Sequence, residues 1–147
     1  MIMPNVMLEN PPRDIRVDRD DEIKYKSLKD RFDLDNDKAL FLIALNVGFF
    51  YDLKLELKTD KKHVWNLSTF NEEDIRKMIL ISFYDNNNLD KIFDGKEVIK
   101  TCEEYANGGI KKLYKMFIEE GNQKDDTLIV EEIVDQINEK IKNFMEL

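Results

Sequence analysis

At 147 residues the chain is long enough for one hydrophobic core and leaves little room for a second. Its 23 Lys and Arg against 31 Asp and Glu give a formal net charge of -8, which argues against nucleic-acid binding by overall charge, so any DNA contact has to be local. The lone Cys102 and the lone His63 exclude an internal disulfide framework and the usual Cys/His zinc sites, and they fit a reducing compartment.

The start, Met1 to Asn10, has no basic n-region and is interrupted by Pro4, so a signal peptide is not expected and the location implied is cytoplasmic. The paired prolines Pro11 and Pro12 suggest that residues 1–12 form an extended arm, with order beginning near Arg13. Arg13 to Val17 alternates, with Ile15 and Val17 on one side, as a short strand would. Asp18 is placed to cap a first helix ending near Phe32, whose apolar positions are Ile23, Tyr25, Leu28 and Phe32.

The acidic run Asp33 to Asp37 superficially resembles the opening of a calcium loop. Lys38 stands where the turn glycine is needed and Ala44 where the bidentate glutamate belongs, so no metal is expected. Asp35 or Asn36 is the better reading, as the cap of a helix from about Asp37 to Tyr51. That helix carries apolar residues around most of its circumference and must be covered by the rest of the domain or by a second subunit. Asn46 interrupts it, and it is too short for the roughly 20 residues of a bilayer span.

Leu53, Leu55 and Leu57 alternate with charged residues and suggest a strand or extended edge, followed by a turn at Thr59 to Lys62. His63 to Phe70 reads as irregular, with Trp65, Leu67 and Phe70 turned inward. Thr69 and Glu72 have the spacing of a capping box, opening a helix with Ile75, Met78, Ile79 and Phe83 that ends at Asn86-Asn87-Asn88. A helical turn over Leu89 to Phe93 meets a turn signal at Asp94-Gly95, and Val98, Ile99, Cys102 and Tyr105 then continue at helical spacing.

Gly108-Gly109 costs a helix interior roughly 2 kcal/mol against alanines, so it marks either a break or a close backbone approach. Ile110, Leu113, Tyr114 and Phe117 resume the stripe as far as Glu120-Gly121. After Asp125-Asp126 a last helix is expected, carrying Leu128, Ile129, Ile133, Val134, Ile137, Ile141 and Phe144. The fold class predicted is mainly α: residues 13–147 form a single domain, a compact bundle of about five helices around the hydrophobic central helix, with at most one or two short strands.

Catalytic motifs are missing from the sequence: it has no Gly-rich phosphate loop, nucleotide fingerprint or nucleophile elbow, so no cofactor and no enzymatic activity are expected. Cys102 lies on an apolar stripe as an inert core cysteine, and His63 sits among lysines in a surface loop. The order strand, helix, loop, helix resembles a ribbon-helix-helix unit, in which strands from two subunits enter the major groove and dimerisation covers the apolar second helix. On that reading Arg13 and Arg16 face bases or phosphates and Arg19, Lys24 and Lys26 add phosphate contacts, although Asp14 and Asp18 would repel the DNA backbone.

The run Glu104-Tyr105-Ala106-Asn107-Gly108-Gly109-Ile110 resembles a segment of a small protein family associated with bacterial DNA phosphorothioation (Dnd-type) modification-restriction systems. The resemblance implies a non-enzymatic accessory or adaptor role in phage defence. Its partners would be other proteins of the system, with DNA contact by a regulator or nick-binding factor as the alternative and an unrecognised small enzyme as a third reading. Independently of that resemblance, Tyr105 can fill a core while the glycines permit close helix packing, which would make the motif structural.

Overall fold

The computed structural model describes residues 8–120, 131–135, 138–139 and 142–143. It is mostly helical, with one small antiparallel sheet of two strands, as the hydrophobic periodicity predicts. The chain divides into two compact units, one built from Met1–Arg19 and Glu56–Glu104, the other from Asp20–Leu55 and Tyr105–Leu147.

In the first unit, strand β1 (Asp14–Asp18) pairs antiparallel with β2 (Lys61–Asn66). The sequence pattern places a turn and an irregular stretch where β2 lies, because β2 lacks the period-2 burial of a strand with one face in a core. The predicted strand over Leu53 to Leu57 does not form. Its backbone is claimed elsewhere: Leu53 N–H donates to the Gly48 carbonyl at 2.7 Å and the Leu55 carbonyl accepts from Asn107 at 3.1 Å. Residues 8–12 are also not a free arm, since Leu8 is buried, Glu9 N–H donates to the Phe93 carbonyl and Gly95 N–H donates to that of Glu9. The expectation for Met1 to Met7 lies outside the described residues.

Helix α3 (Glu72–Asn86) opens on a capping box formed by Asn71 and Asp74, two residues beyond the predicted pair. The Thr69 hydroxyl is spent on the Asn66 carbonyl, at 2.7 Å, within a 3-10 turn over Leu67–Thr69. Asn87 ends α3 in the left-handed region, as the asparagine run suggests. Asp94-Gly95 is a helix start: the Asp94 carboxylate accepts from Lys96 and Glu97 N–H and opens α4 (Gly95–Tyr114). Ile15, Phe70, Ile75, Met78, Val98 and Ile99 form this unit's core.

In the second unit, α1 (Glu22–Arg31) follows a 3-10 turn, and its N-cap position is Asp21 and not Asp18, whose carboxylate accepts from Lys58 N–H at 2.6 Å. Tyr25 and Leu28 are buried, whereas Ile23 faces solvent. Asn36 caps α2 (Asp37–Phe50) by accepting from Ala39 N–H, and Leu40, Phe41, Ala44, Leu45, Val47 and Gly48 are buried along it. The second half of α4 lies close against α2. A Cβ at Gly48 would run into the Tyr105 carbonyl oxygen, one at Gly109 into that of Ala44, and one at Gly108 into that of Leu53.

None of the described glycines has a positive φ, so their role here is space and not conformation. Helix α4 passes through Gly108-Gly109 unbroken and continues into a π-helical turn, Lys115–Glu119, whose Phe117 carbonyl accepts from Arg31 at 2.9 Å. Of the predicted last helix, residues 131–135, 138–139 and 142–143 are helical, with Ile133 half-buried and Val134 exposed, while Leu128, Ile129, Ile137, Ile141 and Phe144 lie outside the described residues.

Candidate anion-binding groove

The residues Thr101 to Ile110 are buried without interruption, although four of them are polar or charged besides the glycines. A helix segment buried all round is ordinarily apolar, so these polar groups have to be paired. In the first unit the Glu103 side chain is 1% exposed, and Arg16 is its partner. Glu103 Oε2 accepts from the Arg16 backbone N–H at 2.6 Å and from Nε at 3.2 Å, while Oε1 accepts from Nη2 at 3.0 Å.

The β1·β2 register slips between Ile15 and Arg16, leaving Val64 without a facing residue. Such a bulge interrupts the ladder and re-aims a residue, here at the point where Arg16 N–H turns to Glu103. Burial pushes the Glu103 carboxyl above the usual carboxylate range, while the Arg16 hydrogen bonds and charge pull the other way. The same pairing raises the guanidinium pKa further.

Arg16 and Glu103 line a groove of about 370 Å³ whose walls also carry Arg13, Asp14, Lys96 and Lys100, with Pro12 and the buried Ile99 completing the lining. His63 joins them from β2, 3.7 Å from the Asp14 carboxylate. All the lining residues belong to the first unit. Arg13, Lys96 and Lys100 are exposed, and among the described residues none of the three has an ion-pair partner.

The predicted nucleic-acid residues are thus divided. Arg13 and Arg16 come together in the groove, but Arg16 is committed to Glu103 and β1 pairs within its own chain. Arg19 pairs with Asp60 at 2.9 Å. In the second unit Lys24 pairs with buried Asp21 and sits over the Tyr114 ring, and Lys26 is exposed on α1. Sequence reasoning missed Glu103, Lys96 and Lys100. Their spacing of four and three residues places them on one helix face, which was readable, but the strand opposite them was not.

The motif residues are packing material. Tyr105 meets Phe49 edge-on at 5.5 Å, Ala106 is buried, and Gly108 and Gly109 admit neighbouring backbone; Glu104 is also buried. Asn107 donates to the Leu55 carbonyl and accepts from Lys111 at 2.5 Å, and Lys111 reaches Asp21 at 2.6 Å. A second depression, about 400 Å³, has Lys54, Lys111, Lys112 and Lys115 around Leu53 and Gly108. Lys111 there is held by Asp21, and Lys112 lies over the Tyr51 ring at 5.0 Å.

Cys102 and His63 are not brought into one site. The Cys102 thiol is buried against the Met78 carbonyl at 3.6 Å and its pKa is pushed up by burial, whereas His63 is exposed on β2. Among the described residues no helix is long and apolar enough to cross a membrane. No family model, no curated protein and no solved structure matches the chain.

Proposed function

We propose that the chain is a non-enzymatic accessory protein of a DNA phosphorothioation-dependent modification-restriction system, acting by binding other proteins of that system in the cytoplasm. The observation that supports a binding role is how the reactive groups are used. Cys102, Glu103, Asp18 and Asp21 are each buried and tied to backbone or to a cation, where they fasten the fold. The system itself is suggested by the Glu104 to Ile110 run, and an acidic surface suits basic protein partners. Affinity capture with the neighbouring modification and restriction proteins tests the reading. Retention at low and moderate salt is expected, and a failure to retain any of them at either salt overturns it.

The groove favours a second reading, a DNA contact by a regulator or nick-binding factor through the N-terminal basic residues. Arg13 is the exposed basic residue of that set that lines the groove. A salt-dependent gel shift weakened by Arg13→Ala is the outcome that reading requires.

A further inference from the structure

The groove of the first unit combines three features that a general basic surface does not have. First, its central arginine is held in place. Glu103 takes the Nε–H and one Nη2–H, leaving three of the five guanidinium N–H donors outside that pair on a side chain that lines the cavity. A guanidinium fixed by a buried carboxylate needs little further ordering to bind an anion, and its planar fork suits the oxygens of a phosphate.

Second, the charges leave a defined surplus on a chain whose net charge is -8. Arg13, Arg16, Lys96 and Lys100 face Asp14 and Glu103, a surplus of two positive charges with His63 counted as neutral. A phosphomonoester carries a charge of about -1.5 to -2 at neutral pH and matches that surplus. Third, about 370 Å³ is the volume of a small-molecule site, and Pro12 offers apolar surface to an organic body.

We infer that this groove binds a small phosphomonoester of the nucleoside monophosphate class, with Arg16 as the fixed anchor and Arg13, Lys96 and Lys100 closing on the phosphate oxygens. The inference stands independently of the accessory role and of its partners. Adenosine monophosphate, inorganic phosphate and unphosphorylated adenosine serve as probes, titrated into the full chain by calorimetry and by heteronuclear NMR at low salt.

Saturable binding of the monophosphate and of phosphate is expected, with adenosine inert. The Lys96→Ala/Lys100→Ala double variant, which removes only exposed side chains, should lose at least tenfold in affinity. Lys112→Ala/Lys115→Ala, at the lysine depression of the second unit, should leave it unchanged. The inference is overturned by absence of saturation, by equal losses in the two double variants, or by binding confined to oligonucleotides. NMR spectra of the free variants, unshifted beyond the substituted helix turn, separate lost binding from lost fold.

Discussion

The two halves of α4 are anchored by opposite means. From Gly95 to Glu104, beside the buried Val98 and Ile99 and the close approach of Gly95 to Pro11, the distinctive fastening is electrostatic, a buried carboxylate gripping an arginine from a bulged strand. From Tyr105 to Tyr114 it is steric, with glycines letting α2 and the Leu53 backbone come to contact distance, backed by the Asn107-Lys111-Asp21 chain. An electrostatic anchor can be loosened by pH or by substituting either partner. A glycine contact has no such adjustment, because the obstacle to a larger residue is a carbonyl oxygen in the backbone of the neighbouring segment.

The largest effect should therefore come from the steric half. Gly109→Ala places a methyl against the Ala44 carbonyl and forces α2 and α4 apart. The helix-propensity gain of about 1 kcal/mol is outweighed, and a net loss of about 3 kcal/mol or more is expected in chemical denaturation. Gly48→Ala, which meets the Tyr105 carbonyl, should behave alike. If either substitution stabilised the protein, close backbone approach would not be what those glycines provide.

Breaking the electrostatic half costs somewhat less and depends on pH. Arg16→Ala strands the Glu103 carboxylate, at about 2–3 kcal/mol, below the usual figure for a broken buried pair because about a third of the arginine is exposed and the acid can take up a proton. In the native protein the raised Glu103 pKa means that the folded state binds the proton more tightly than the unfolded chain. The stability this group contributes is full below the ordinary carboxyl pKa and is lost as pH rises through the folded one. Removing the Arg16 side chain removes influences that lower that pKa, so the variant's deficit should be greatest near neutrality and shrink on acidification. Adding Glu103→Gln should flatten that dependence. Denaturation midpoints across pH for the four members of this cycle would measure both effects, and a deficit that grew on acidification would contradict the assigned pairing.

The polar chain beside the glycines allows the steric half to be weakened without a clash. Asn107→Ala leaves the Leu55 carbonyl and Lys111 without their amide partner and should cost about 2 kcal/mol. Hydrogen exchange should show the loss first at the amides of residues 53–57, which that contact holds against α4.

What was legible in the sequence follows from whether its cause was local. Asn36 and the apolar run after it specify α2 within a few residues, and the period of Val98, Ile99, Cys102 and Tyr105 survives in α4. Gly108-Gly109 could be narrowed to a break or a close approach, but choosing between them required knowing what lay opposite, namely Leu53 and Ala44. β2 was hidden because its side chains do not alternate between core and water. Glu103 was hidden because its partner lies 87 residues away and its position matters only once β1 is bulged toward it. The groove depends on the same long-range pairing, so Arg13 and Arg16 could be named in advance while Lys96 and Lys100 could not.

The smallest predicted effects compare the two units through the caps of α2 and α3, where a single local bond is at stake. Asn36→Ala removes one accepted N–H bond at the start of α2 and should cost about 1 kcal/mol. Asn71→Ala removes the equivalent bond at the start of α3, where the Asn71 side chain accepts from Asp74 N–H at 2.8 Å. The reciprocal half of that box, Asn71 N–H to the Asp74 carboxylate, is long at 3.4 Å and leaves the backbone donor in place after substitution, so the box should add little to the cost. Equal drops of about 3 °C in melting temperature are expected from the two changes, with Asp restoring most of the loss at either position because its carboxylate accepts the same bond and complements the helix dipole. A markedly larger loss at Asn71 would show that its side chain contributes more than the one bond it accepts from Asp74 N–H.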